Sequence, residues 1–241
     1  MDNAKSASGY HLVKRVFIGG EGGWDYLIVD NDARRLYVTH GTRVHVLNAD
    51  TLAIVGEIPN TEGVHGVAIA SEFGRGFTSN GRASSVSIFD LKSLKVIAQW
   101  PLAPGEEPSG LALDTKNNRL FSTCSNEIMI VMDAGDGHIL ASLPIGDGSD
   151  GCGFDPETSL VFSSNGEGTL SIIQEDSPTK FSVLDTVTTQ LGARTMTIDP
   201  KTHSVFLPAA EFGPTPKPTV DVPEPRPSII PDTFVLLQFQ K

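Results

Sequence analysis

The chain has 241 residues, 39% of them hydrophobic, with 24 glycines, 16 prolines and two cysteines. Eighteen basic residues against 29 acidic ones leave a net charge of −11, a field that repels phosphate backbones and anionic lipid. No apolar run reaches the roughly 20 residues of a bilayer span, and two cysteines are too few for a disulfide framework or a zinc module, which sets those classes aside.

Taken in order, Met1 to Gly9 lacks the apolar core of a signal peptide and is expected to be a flexible segment, with one domain over residues 10–241. Residues Lys14-Arg15-Val16-Phe17-Ile18-Gly19 match Ala141-Ser142-Leu143-Pro144-Ile145-Gly146, a later outer strand, so the chain opens on an outer strand with no blade of its own. After Glu21-Gly22-Gly23, Trp24 to Asp30 reads as an inner strand, and equivalents begin at His65, Ser109, Asp150 and Arg194. Polar turns such as Asp155-Pro156-Glu157-Thr158 end them. Second strands follow with an aromatic at a fixed place, namely Tyr37, Phe77, Phe121, Phe162 and Phe206. Third strands cover 44–47, 86–89, 129–132 and 170–173, and fourth strands begin near Ala53, Lys95, Ile139 and Phe181.

Spacing of this kind, about 40 to 45 residues built from four short strands, marks a β-propeller with one blade per repeat. Five repeats give an all-β, five-bladed propeller of four-stranded antiparallel blades. In the fifth, seven prolines between Gly213 and Pro231 deny the backbone its ladder donors, so a long extended loop is expected before a third strand at 233–239. That blade lacks a fourth strand and the N-terminal segment has one to spare. Their pairing would close the ring and remove two sheet edges.

At Tyr37-Val38-Thr39-His40 and its four counterparts the chain resembles the YVTN-type β-propeller repeat family, the YncE-like proteins, from residue 10 to the end. The resemblance implies a seven-bladed ring exported to the periplasm or cell surface. This sequence departs from it in having five repeats and no leader. The repeat motif is specific for fold and poor for function, and a non-catalytic binding or scaffold role in the cell envelope is the expectation for this chain.

Loops entering the inner strands and leaving the second strands share one face of a propeller, around the channel mouth. On that face one repeat position carries Asp25, His65, Ser109, Asp150 and Arg194, with Trp24 and Glu107 beside them. A second carries His40, Asn80, Cys124, Asn165 and Ala209, with Glu211 just beyond. Different polar residues at one structural position are unlike a packing requirement and point to a ligand site for a small polar or anionic molecule, Arg194 being able to clamp an oxyanion. The same residue types also cap turns, and Arg194 can pair internally with Asp25 or Asp150.

No cofactor is expected. The rival is a metal-assisted hydrolase of the propeller-lactonase type, with imidazole, amide and carboxylate ligands from the same mouth. Single-stranded nucleic acid, through Trp24, Arg43, Arg82 and Arg194, is opposed by the net charge. The glycine pattern at Gly146 to Gly151 joins two strands with no helix to receive a phosphate, so it is no dinucleotide site. Cys124 and Cys152 stand either as buried apolar residues or as one bridge. A monomer without membrane insertion is expected, with a protein partner on the proline-loop face as the other candidate target.

Overall fold

The computed structural model describes residues 13–19, 23–219, 223 and 225–240. Five antiparallel sheets follow one another around a central channel as the blades of a β-propeller. Blade 1 is β1 (Trp24–Asp30), β2 (Arg35–His40), β3 (Arg43–Asn48) and β4 (Ile54–Pro59). Blade 2 is β5 (Val64–Ala70), β6 (Arg75–Asn80), β7 (Ser85–Asp90) and β8 (Val96–Pro101). Blade 3 is β9 (Pro108–Asp114), β10 (Arg119–Cys124), β11 (Ile128–Asp133) and β12 (Ile139–Pro144). Blade 4 is β13 (Ser149–Asp155), β14 (Leu160–Asn165), β15 (Thr169–Ser177) and β16 (Lys180–Thr188), and blade 5 is β17 (Thr197–Asp199), β18 (Ser204–Ala209) and β19 (Val235–Phe239). Among the described residues no helix is long and apolar enough to cross a membrane.

The hairpin turns are set by local chemistry that recurs with the repeat. Each inner strand except β5 ends in an aspartate whose carboxylate accepts backbone N–H bonds from the turn: Asp30 from Asp32 and Ala33, Asp114 from Lys116 and Asn117. Asp155 accepts from Glu157 N–H and the Thr158 hydroxyl, and Asp199 from Lys201 N–H and the Thr202 hydroxyl. These side-chain bonds mimic a backbone turn and fix it. Blade 2 has Ala70 instead, and a 3-10 turn at Ser71–Phe73 does the same work.

Blades hold to one another through the repeat aromatics. Tyr37, Phe77 and Phe121 are fully buried, and Phe162 is nearly so. Each lies in an apolar layer shared with the next blade, as Tyr37 does with Phe89 and Phe121 with Phe154 and Phe181. Burying one such side chain contributes about 1.5–3 kcal/mol, so the layers account for much of the fold's stability. Phe206 is only half-buried, because the face it occupies turns toward blade 1 across a looser seam. On the other side of that seam Leu27 is 62% exposed and Val29 is exposed too.

Two expectations are corrected here. Residues 13–19 form no strand, and blade 5 has three strands among the described residues, so the closing strand does not pair with β19. Instead Lys14 Nζ donates to the Thr51 carbonyl on blade 1, and Phe17 is 92% exposed. The fifth inner strand is also shorter than expected, starting at Thr197 and not at Arg194. Here β17 makes only three ladder pairs with β18. Segment 1–9 lies outside the described residues. Among its described residues the proline-rich stretch forms no strand beyond an isolated bridge of Ile229 to Phe212, as expected, and its base is pinched by Gly213 N–H to the Ser228 carbonyl and Ile230 N–H to the Glu211 carbonyl. Both cysteines are free thiols.

Candidate functional site

The mouth is built by a local irregularity that the repeat carries with it. Pairing between β1 and β2, β5 and β6, β9 and β10, and β13 and β14 shifts register near the start of each inner strand. Such a shift leaves a residue out of the ladder and re-aims side chains. The displaced backbone is held by hydroxyls near the ends of the second strands: Thr39 donates to the Tyr26 carbonyl, and Ser79 Oγ accepts from Gly66 N–H and donates to the Ser109 carbonyl at 2.5 Å. Thr123 accepts from Gly110 N–H at 3.0 Å, and Ser164 donates to the Arg194 carbonyl. This column of Thr39, Ser79, Thr123 and Ser164 is the set that sequence reasoning missed, although a hydroxyl just before four of the five second-column residues was there to be read.

The first column comes together as two linked groups. His65 Nδ1 bonds Asp25 Oδ2 between neighbouring blades. That carboxylate holds the imidazole pKa above its ordinary value; burial opposes it, and the charges of Asp25, Asp150 and Glu107 act in the same direction as the bond. Ser109 Oγ donates to Asp150 Oδ1 at 2.7 Å, and Arg194 Nε lies 3.5 Å from Asp150 Oδ2. Arg194 keeps 55% of its side chain in solvent, and its terminal nitrogens have no partner among the described residues. Trp24, at the mouth, is 83% exposed.

Tyr26 joins the two groups. Its repeat position holds Gly66, Gly110, Gly151 and Thr195 in the other blades, and these small residues leave room for one large ring. The Tyr26 hydroxyl donates to the Asp150 carbonyl at 3.3 Å, from blade 1 to blade 4. Burial, then the charges of Asp150 and Asp25, raise its pKa far above neutral, so it stays a neutral donor. The ring thus forms a bar between the polar mouth and the channel below.

The second column is placed differently. Asn80 and Asn165 are fully buried inside their blades. Asn80 accepts from Thr78 and donates to Ser85 and Ser87; Asn165 accepts from Ser163 and donates to Thr169 and Ser171. Each cross-ties second and third strands with its polar groups bonded. Cys124 is buried, His40 Nδ1 pairs with His45 Nε2 at 3.1 Å, and Ala209 is buried. Glu211 is exposed at the base of the proline-rich loop. Among the described residues no three His, Cys, Asp or Glu side chains are placed to share a metal ion.

Fold and site together define a five-bladed β-propeller with a polar cluster at one mouth of its channel. Among solved structures it is similar to Kuenenia stuttgartiensis hydrazine synthase, with a TM-score of 0.71 and 16% sequence identity. The alignment covers 96% of this chain but 66% of the other, less than two thirds of its length. At that identity the likeness extends to the fold. No family model matches the sequence, and no curated protein does.

Proposed function

We propose that the protein is a non-catalytic binding propeller that holds a small polar ligand at the channel mouth. The observation that carries this reading is the convergence of Asp25, His65, Ser109, Asp150 and Arg194, from five successive repeats, at one opening with the Arg194 guanidinium turned to solvent. Arg194 donates to the ligand; Asp25, Asp150 and the neighbouring Glu107 accept from it. Three carboxylates, those of Asp25, Asp150 and Glu107, act on His65, against the one permanent cation of Arg194 beside Asp150. The balance therefore favours a hydroxyl- or amino-bearing ligand over a purely anionic one.

A metal-assisted hydrolase would need three converging ligands, and the mouth supplies pairs. Placement in the cell envelope and membership of the YVTN-type family follow the sequence resemblance. A protein partner would meet the proline-rich loop at 213–231, whose seven prolines suit it to such contacts.

The test is thermal stabilisation by a panel of glucose, glucosamine, arginine, acetate and inorganic phosphate. A neutral or amino-bearing compound should raise the melting temperature of the native protein and leave that of an Asp25→Asn/Arg194→Gln double variant unmoved. Equal stabilisation of both proteins would place the site elsewhere, and preference for acetate and phosphate would reverse the charge argument.

A further inference from the structure

Beneath the Tyr26 bar lies a cavity of about 310 Å³ to which all five inner-strand segments contribute. Its wall is mainly apolar: Leu27, Val67, Leu111, Phe154, Met196 and Ile198, with glycines between them. The volume falls at the small end of the ~300–1,000 Å³ typical of ligand pockets. Two titratable groups line it, the Tyr26 hydroxyl and the Cys152 thiol, and burial holds both neutral. Nothing in the wall can pair with a charge, so a charged guest would lose its hydration without recompense. The cavity also has a side entrance. Leu27 on β1 and Thr197 on β17 both line it, both lie on the faces turned toward the blade 5–blade 1 seam, and both are exposed.

We propose that this channel is a second binding site, for a small uncharged apolar molecule that enters sideways through the seam between blades 5 and 1. The site is independent of ligand binding at the mouth. Tyr26 closes it on the mouth side, and its hydroxyl, committed to the Asp150 carbonyl, separates the two compartments. The carboxylates above it turn away anionic amphiphiles that might otherwise thread in from the mouth.

The experiment uses N-phenylnaphthylamine, an uncharged dye that fluoresces in apolar surroundings, and methyl NMR of the methionines of the whole chain. Saturable binding is expected, with the Met196 methyl signal shifted by the naphthyl ring while those of Met129 and Met132, fully buried within blade 3, stay in place. Thr197→Trp fills the entrance from an exposed position and should weaken binding at least about tenfold; Leu27→Trp gives the same readout from the facing strand if the first variant fails to fold. Arg194→Gln should leave dye binding unchanged, so failure at the mouth and failure in the channel are told apart. Anilinonaphthalenesulfonate, of similar size but anionic, should bind at least about tenfold more weakly. The proposal is overturned by any of three results: no saturable binding, fluorescence without movement of Met196, which would place the dye on exposed apolar side chains such as Phe234 and Leu236, or equal affinity for the anionic dye.

Discussion

Replacing Glu175 by glutamine should remove a pH dependence of stability that a buried carboxyl pair imposes on this propeller. Glu175 lies near the end of β15 at 5% exposure, with Oε1 accepting from Asn117 Nδ2 at 3.0 Å and Oε2 without a hydrogen-bond partner. Burial, and then the Asp114 carboxylate beside it, push its pKa up from 4.5 to about 7. The folded state therefore holds a proton that the unfolded chain releases. The stabilisation is complete below pH 4.5 and is lost as pH rises through 7. At about 1.4 kcal/mol per pKa unit, the full change is at most about 3–4 kcal/mol. Urea unfolding of both proteins from about pH 5 to about pH 8 measures it. The native protein should lose stability over that range relative to Glu175→Gln, whose amide keeps an acceptor for Asn117 and gains a donor for Asp114. Parallel stability curves for the two proteins would refute the reasoning.

Other expectations follow from the same contacts. The His65 imidazole should titrate above the ordinary histidine value and fall on Asp25→Asn, read by NMR; an unchanged midpoint in the variant would remove the ion pair. Because that pKa is raised, the pair's contribution to stability is present below the unfolded value of 6.5 and fades as pH rises through the folded one. Phe121→Ala, at a fully buried ring touching Phe154 and Phe181, should cost about 3–5 kcal/mol, whereas Phe206→Ala at the seam should cost clearly less. Similar losses at the two sites would mean that the seam is as well packed as the other interfaces. Gly110→Ala should lower the melting temperature sharply, since a Cβ there would lie within 2.6–2.8 Å of Cys152 N, the Asp150 carbonyl and Cys152 Cβ. An unaffected melting temperature would show that the inner strands are not packed so closely.

Much of the architecture could be read from the sequence because its determinants are local and recur. An aromatic every 40 to 44 residues, an aspartate at the end of four inner strands and a proline-rich interruption in the fifth repeat each act over a few residues, and each appears in the structure where the repeat register put it. The ring's closing contact is different, because residues 13–19 had a matching strand pattern but pairing with β19 depends on how blades 5 and 1 meet, which no local pattern encodes. Site residues divide in the same way. The first column converges because the register shifts turn those positions toward the axis, whereas Asn80 and Asn165, one strand outward, are drawn into the blade by serine and threonine neighbours two residues before them and across the next strand. Polarity alone does not distinguish a side chain facing a channel from one tying two strands together.

Whether the mouth is where a ligand is held is measured most directly by the ring NMR signals of the histidines while the stabilising compound from the panel is titrated in. The prediction is a saturating shift at His65 with His138 and His203, in turns at the opposite end of the blades, unmoved. Shifts at His138 or His203, with His65 silent, would contradict it.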